Sequence, residues 1–302
     1  MNVLQQIKVT RWEGPFSHSL QEQAVYALEH GQILYCPNLA FQLDDVEHRF
    51  LSSGWRSGRR KNISYDPAKD RLGGASVTGH DARELAATMA RYARVTRELV
   101  DTLLPWPPQA LTQARSSFRP ALIEDQNPRS YRKDDRLLHI DAFPSRPTRG
   151  TRILRVFTNV NPIGQSRMWR VGEPFEDMAR KFLSKVSRPL PGAPLLLAAF
   201  HITKGIRTPY DQVMMQLHDL LKTDSSYQEK APQVRLSFPA GSTWIMFSDQ
   251  VLHAAIVGRY AFEQTFHLPI SAQRWPELSP LRTLERLTGR QLSSVKSGVS
   301  HH

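Results

Sequence analysis

The side chains best placed to do chemistry lie within residues 136–157, RLLHIDAFPSRPTRGTRILRVF. This stretch contains a His-Ile-Asp triplet, in which His139 and Asp141 are two residues apart. On an extended strand, side chains two apart point to the same face. The triplet alone does not establish a metal site, because histidine and acidic residues (11 and 28 of 302) are common enough for one such triplet to occur by chance.

A second histidine would complete a 2-His-1-carboxylate face, which leaves three positions open on an octahedral Fe(II). The best candidate is His253, in GSTWIMFSDQVLHAAIVGRY, where one predicted strand leads through a turn to a histidine that opens the next strand. A structural histidine at a strand start is the alternative interpretation. The pattern predicts His139, Asp141 and His253 as catalytic metal ligands.

An Fe(II) site of this kind needs a cosubstrate to supply electrons, and 2-oxoglutarate is the usual source. Its far carboxylate requires a cation at an inward strand position, and guanidinium matches a carboxylate in planar, bidentate geometry. We favour Arg155 in TRILRVFTNV, fourteen residues after Asp141. Arg152 is three residues earlier on the same strand, so the two side chains face opposite sides and cannot both point inward. Arg259, six residues after His253, is the alternative. For each arginine, simple solvent exposure is the competing explanation.

Composition and charge limit the classes of protein to consider. With 40% hydrophobic and 23% charged residues, the chain is typical of a globular protein. Its longest apolar run, residues 195–200, is too short to span a bilayer, and the N-terminus does not resemble a secretory signal. The single cysteine, Cys36, fits a reducing compartment, so we expect a cytoplasmic protein.

The net charge of +12 is concentrated in one part of the chain. Residues 115–188 contain 16 Arg and Lys against 8 Asp and Glu, an excess of +8. A second basic cluster, at Arg56, Arg59, Arg60 and Lys61, adjoins Trp55. Such surfaces favour anionic partners, although a basic protein without a charged partner is an equally simple interpretation.

The predicted elements place these residues in one domain that is mainly β with flanking helices (α+β). The first 115 residues are predicted to be mostly helical support, with helices over 20–30, 43–51 and 81–104. Short strands separated by Pro, Gly and Asn are predicted to dominate residues 116–275, among them strands over 137–141, 233–238 and 253–257. They surround a helical insert predicted at about 173–230, which includes a helix over 193–203. Residues 276–302 are predicted to form a C-terminal helix and tail. This order suggests a β-sandwich or β-barrel core.

Several long blocks resemble the Kdo 3-hydroxylase family, which are Fe(II)/2-oxoglutarate dioxygenases of Gram-negative bacteria. The blocks are HID, TRILRVFTNVNP, MWRVGEPFE, GSTWIMFSDQVLHAAI and EQTFHLP, and the resemblance covers residues 117–269. It implies a double-stranded β-helix (jelly-roll, cupin-like) core. It also implies hydroxylation at C3 of a Kdo sugar (3-deoxy-D-manno-oct-2-ulosonic acid) in Kdo2-lipid A, giving Ko with succinate and CO2. The family's iron ligands fall on His139, Asp141 and His253.

One departure concerns the arginine for 2-oxoglutarate. Its common location, ten to fifteen residues after the distal histidine, holds Gln264, Thr265 and His267 here instead of an arginine. The assignment of Arg155 to the cosubstrate therefore depends on its strand position alone. Gln264 or Thr265 is predicted to add a hydrogen bond to the cosubstrate.

A glycolipid substrate carries carboxylates and phosphates, which the basic side chains of the loops could bind. The residues predicted to grip its anionic groups are Tyr131, Arg132, Lys133, Arg146 and Arg149, although each of the charges also fits a solvated loop. The same substrate implies a peripheral location on the inner face of the bacterial inner membrane, whose surface is anionic.

Two other functions fit parts of the pattern. A jelly-roll dioxygenase could act on nucleic acid or on a protein side chain, but the basic region offers few aromatic platforms for stacking, so nucleic acid is not expected. A non-catalytic barrel that only binds would be favoured by loss of a ligand, and all three ligands are present. The sequence does not predict an oligomeric state.

Overall fold

The computed structural model describes residues 2–58, 60–124, 130–143, 146–187 and 206–293. Eleven strands and six helices organise this part of the chain. The strands are β1 (Leu4–Gln6), β2 (Ile33–Cys36), β3 (Ile63–Asp66), β4 (Arg71–Gly73), β5 (Thr112–Arg119), β6 (Arg152–Asn159), β7 (Arg167–Gly172), β8 (Gln233–Phe238), β9 (Thr243–Phe247), β10 (His253–Val257) and β11 (Ala261–Leu268). The helices are α1 (His18–Glu29), α2 (Gly79–Leu103), α3 (Phe175–Phe182), α4 (Pro209–Thr223), α5 (Ser225–Lys230) and α6 (Pro280–Thr288).

Two sheets form the core. The larger has the strand order β1-β2-β9-β6-β11-β5-β3-β4, and the smaller has the order β10-β7-β8. Neighbouring strands are antiparallel except for the parallel pair β1–β2. This arrangement of mainly β structure with surrounding helices confirms the predicted jelly-roll class.

Central strand β6 is buried along its whole length, and its two faces serve different layers. Leu154 and Val156 pack outward into the cluster that includes α1 and the end of α2. Phe157 packs inward, where its ring stacks on Trp244 and meets Trp169 of the smaller sheet edge-on. Arg155 shares the inward face with Phe157, since side chains alternate along a strand. The space between the sheets therefore contains both an aromatic core and a polar end.

Helix α2 covers the outer face of the β11-β5-β3 side of the larger sheet. Its buried positions recur at helical spacing, as the sequence predicts, and Met89 and Tyr92 pack against Ile63, Tyr65 and Phe118. The inner face of the same strands is thereby left for polar residues.

The N-terminal third differs from its predicted helical character. It contributes β1 to β4 to the larger sheet, and β5 begins at Thr112, so the boundary predicted at residue 115 falls inside a strand. The predicted helix over 43–51 is only a 3₁₀ turn, Glu47–Phe50. Asp44 and Glu47 cap its start, and the backbone leaves helical geometry at Leu51, where ψ is 60°. The helix predicted over 193–203 lies outside the described residues.

None of the described helices combines the length and the apolar character needed to cross a bilayer.

Candidate metal centre

The two histidines are placed by one short antiparallel bridge. The His139 amide donates to the His253 carbonyl at 3.0 Å, and the reverse bond measures 2.9 Å. In each ring, Nδ1 lies 2.7–2.8 Å from a carbonyl oxygen two residues earlier, of Leu137 or Val251. A carbonyl can only accept, so Nδ1 carries the proton and Nε2 keeps its lone pair for a metal.

Asp141 joins the histidines through the next backbone contact. Its amide donates to the Ser248 carbonyl at 2.8 Å, and its Oδ1 lies 3.9 Å from Nε2 of His139. One ligand atom from each of His139, Asp141 and His253 lies within 4.8 Å of the other two. The structure thus brings together the three predicted ligands. It does so without the strand predicted over 137–141, because an isolated bridge replaces a continuous ladder.

The protonation states suit a metal. Burial lowers the pKa of His139 well below its ordinary value, and the neighbouring His253 adds to this effect; burial also lowers the pKa of His253. Burial alone would raise the pKa of Asp141, but Arg155 and the two histidines outweigh it and lower that pKa. Two neutral imidazoles beside one carboxylate are the donor set of a 2-His-1-carboxylate iron site.

Arg155 lies directly behind this carboxylate. Its Nε is 2.9 Å from Oδ2 of Asp141, although this contact lacks hydrogen-bond geometry, and its Nη1 donates to Glu263 at 2.7 Å. Arg119 Nε donates to the other oxygen of Glu263 at 2.9 Å. Arg155 is therefore held between two acidic groups.

The ligands open into a cavity of about 140 Å³ between the two sheets. Four cationic and two acidic side chains line it, so it attracts anions even before a metal ion adds charge. Its lining residues are Lys61, Asn62, Arg119, Asp135, His139, Asp141, Arg155, Phe157, Arg167, Trp169, His253 and Ala255.

Two lining residues on β7 carry hydrogen-bond donors without a partner. Arg167 is only 3% exposed, and its Nε and Nη1 have no acceptor in the described part of the chain. Burial, with Arg119 nearby, lowers the pKa of Arg167 to about 9. Trp169 is 2% exposed, stacks on the ring of His253, and its indole N–H also has no partner there. Buried donors require acceptors, so this wall suits a bound anion.

Our sequence reasoning missed Arg167 and Trp169. The available signal was their spacing of two within RMWRVG, which places both side chains on one face of a strand. His218 of α4 was also missed; its ring packs edge-on against His139 at 5.7 Å.

The other predicted cosubstrate residues lie in three different environments. Thr265 pairs directly with Arg155 and shares its inward face. Gln264 points to the opposite face, where it binds Ser116 and the Ala114 carbonyl, so its predicted contact with the cosubstrate is not supported by its position. Arg259 lies in a turn over the ring of Tyr260 and does not line the cavity.

None of the five predicted substrate-binding residues lines the metal cavity as the structure describes it. Tyr131, Arg132 and Lys133 form an exposed 3₁₀ turn, and Arg132 is bound to Asp219 at 2.6 Å. Arg146 and Arg149 are exposed, and the backbone of Arg149 is bound by Asp211. These residues could reach only parts of a substrate that extend out of the cavity.

Comparisons with known proteins identify the family to which the chain is similar. A family model described as 3-deoxy-D-manno-oct-2-ulosonic acid (Kdo) hydroxylase matches residues 11–291. The crystal structure of the Kdo hydroxylase KdoO, a non-heme Fe(II) alphaketoglutarate-dependent dioxygenase in complex with alphaketoglutarate and Fe(III), is 45% identical, covers 99% of each chain and has a TM-score of 0.93.

KdoO in complex with cobalt(II) is 46% identical, with a TM-score of 0.94 over 99% of this chain and 100% of that one. No match was found among the curated proteins compared. The similarity extends over the whole chain rather than over the motifs alone, and it confirms both the predicted family and the predicted enzyme class. The protein therefore belongs to the family of Kdo hydroxylases.

Proposed function

We propose that this protein hydroxylates C3 of a Kdo sugar in Kdo2-lipid A to give Ko, with Fe(II) as cofactor and with 2-oxoglutarate and O2 as cosubstrates. Succinate and CO2 are the co-products. The observation that carries the proposal is the juxtaposition of a complete His-Asp-His set with unpartnered buried donors in one cationic cavity. Membership of the Kdo hydroxylase family supports the sugar as the substrate.

In this proposal the metal is held by Nε2 of His139, the carboxylate of Asp141 and Nε2 of His253. When bound, Fe(II) with 2-oxoglutarate and O2 supplies the oxidation of a C–H bond. Leu137 and Val251 orient the two imidazoles through their carbonyls, and Arg155 keeps Asp141 ionised. Such contacts around metal ligands set their orientation and basicity.

The far carboxylate of 2-oxoglutarate is assigned to Arg155 together with Arg167 and Trp169. Arg155 is already engaged by Asp141 and Glu263, whereas two nitrogens of Arg167 have no acceptor among the described residues and its side chain is buried. A carboxylate between them would satisfy these donors and restore a balanced charge. Thr265 faces inward beside Arg155, so its hydroxyl is placed to contact the same carboxylate of 2-oxoglutarate.

The lipid portion of the substrate suggests where the enzyme works. We place it in the cytoplasm, peripherally at the anionic inner surface of the inner membrane, where basic side chains contribute about 1 kcal/mol each. Tyr131, Arg132, Lys133, Arg146 and Arg149 remain candidates for contacts outside the cavity.

Mass spectrometry of Kdo2-lipid A incubated with enzyme, Fe(II), 2-oxoglutarate and O2 tests the proposal. We expect a gain of one oxygen on a Kdo residue, and no gain with Asp141→Ala. Without O2, addition of Fe(II) and 2-oxoglutarate should produce a weak visible charge-transfer band that Asp141→Ala abolishes. A band without any gain of oxygen on Kdo2-lipid A would indicate that the enzyme hydroxylates a different anionic substrate. Absence of the band would contradict the oxygenase assignment.

A further inference from the structure

A second polar cavity adjoins the metal cavity. It measures about 330 Å³ and lies on strands β3, β4 and β5 at the edge of the larger sheet. Asn62 lines both cavities, so they are direct neighbours. We call it the arginine groove and define it by Arg60, Asn62, Ser64, Arg71 and Arg115.

A row of paired residues connects the two cavities across the sheet. Phe157, which lines the metal cavity, pairs with Glu263, which pairs with Ser117, which in turn pairs with Ser64 in the groove. Directly paired residues point to the same face of a sheet. The groove therefore opens on the face that carries Arg155 and the metal site. Three strand spacings put Ser64 about 14 Å from Phe157.

The groove has an excess of positive charge. Its one acidic residue, Asp66, is engaged by Arg115 at 3.3 Å. Arg60 and Arg71 are exposed, and within the described part of the chain neither has an acidic partner within 4 Å. Three guanidinium groups against one carboxylate leave a charge of +2 in a concave, polar site. Guanidinium is suited to phosphate and carboxylate groups through paired hydrogen bonds.

We propose that the arginine groove binds a second anionic group of the substrate glycolipid, either a phosphate or the carboxylate of another sugar. An anion bound beside Ser64 would lie three strands away from Phe157, which lines the metal cavity. Anchoring it there selects which sugar enters the metal cavity. This proposal rests on the proposed function, since it takes the same glycolipid as the ligand. It also assigns a role to Arg60, which belongs to the same basic cluster as Lys61 but lines the arginine groove and not the metal cavity.

Truncation of the exposed groove arginines tests this idea. Arg60→Ala/Arg71→Ala is compared with Arg83→Ala, an exposed arginine of α2, the helix on the opposite side of the sheet. We expect the KM for Kdo2-lipid A to rise about tenfold or more in the double variant, as loss of charged hydrogen bonds implies. The kcat at saturation, the KM for 2-oxoglutarate and the thermal midpoint should stay close to wild type, and Arg83→Ala should change none of them.

Two altered substrates identify the anion. If removal of the lipid phosphates abolishes the difference between wild type and the double variant, the groove binds phosphate. If removal of the outer Kdo abolishes it, the groove binds the sugar carboxylate. An unchanged KM for intact Kdo2-lipid A, or the same loss against every substrate, would overturn the proposal.

Binding without turnover separates this proposal from the function on which it rests. Calorimetry with iron-free protein and the deacylated, water-soluble sugar-phosphate portion of Kdo2-lipid A should show about tenfold weaker binding in the double variant. Normal wild-type binding without hydroxylation would overturn the proposed function and leave the groove supported. Equal affinities of wild type and the double variant, or no binding by either protein, would overturn the proposal that the arginine groove binds the anion.

Discussion

At the scale of single residues, the site is distinguished by which donors already have partners. Arg155 and Arg119 share Glu263, and Arg155 also lies against Asp141. Arg167 is more deeply buried than either, yet two of its nitrogens have no acceptor among the described residues. A buried donor without an acceptor costs free energy, and a bound carboxylate would recover it.

We expect Arg167→Ala to weaken 2-oxoglutarate binding by about tenfold to a hundredfold, because a buried hydrogen bond to a charged group contributes about 1.5–3 kcal/mol. Anaerobic titration of the charge-transfer band against 2-oxoglutarate measures this affinity. Arg155→Ala should weaken cosubstrate binding and metal binding together, since Arg155 also holds Asp141.

Arg259→Ala is the control, because Arg259 lies over Tyr260 outside the cavity. A larger effect from Arg259→Ala than from Arg155→Ala would reassign the cosubstrate site.

Residue spacing predicted which three candidate ligands come together better than it predicted their surroundings. His139 and Asp141 could be paired because two-residue spacing aligns side chains, and His253 because it opens a strand. Glu263 could not be foreseen, since its role depends on Arg119 and Arg155, which are 144 and 108 residues away along the chain. Contacts between residues so far apart in sequence depend on the order of strands in the sheet. The periodicity of hydrophobic residues does not reveal that order.

At the scale of elements, the backbone around β7 sets the position of Arg167. Gly258 follows β10 with φ of 114°, and a Cβ atom added there would lie 3.1 Å from Cα of Arg167. The turn at Gly258 therefore allows two chain segments to approach closely, and only glycine fits this conformation without strain.

Gly258→Ala should lower the free energy of unfolding by about 1–3 kcal/mol and also weaken 2-oxoglutarate binding, because β7 must shift at Arg167. Urea unfolding and the anaerobic titration measure the two effects. Gly164→Ala is the matched control, since Gly164 also has positive φ (78°) but an added Cβ would meet no atom within 4 Å. The control should lose about 1 kcal/mol of stability and keep its cosubstrate affinity. Equal affinities in the two variants would show that Arg167 does not depend on this turn.

Element prediction succeeded where strands are long or bounded by clear turns. The strands over 233–238 and 253–257 match β8 and β10. The short strands β3 and β4, of four and three residues, are too brief to show alternation, yet they form the arginine groove. Their place at the sheet edge is decided by pairing with β5, which is a tertiary contact.

At the scale of the whole molecule, one partly buried charge network connects distant parts of the chain beside the cavity. Lys61 from the N-terminal third binds Asp135, which Arg119 also contacts, and Arg119 in turn binds Glu263 on β11. Burial alone would raise the pKa of Asp135 and of Glu263, but Lys61, Arg119 and Arg155 outweigh it, so both pKa values are lowered. The folded protein therefore favours these carboxylates in their ionised form.

This network makes the metal-free protein sensitive to acid. A carboxylate whose pKa is lowered by folding stabilises the protein fully above its unfolded pKa, here 3.8 for Asp and 4.5 for Glu, and loses that stabilisation as the pH falls towards the folded value. We expect the free energy of unfolding, from urea titrations between pH 7 and pH 3, to decline below about pH 4.5.

Glu263→Gln should be less stable at pH 7, and its free energy of unfolding should fall less steeply with decreasing pH, by up to about 1.4 kcal/mol per pH unit. Glu98→Gln, an exposed substitution on α2, should follow the wild-type slope. If Glu263→Gln keeps the wild-type slope, Glu263 takes up no proton on unfolding in this range, and acid sensitivity must arise elsewhere in the fold.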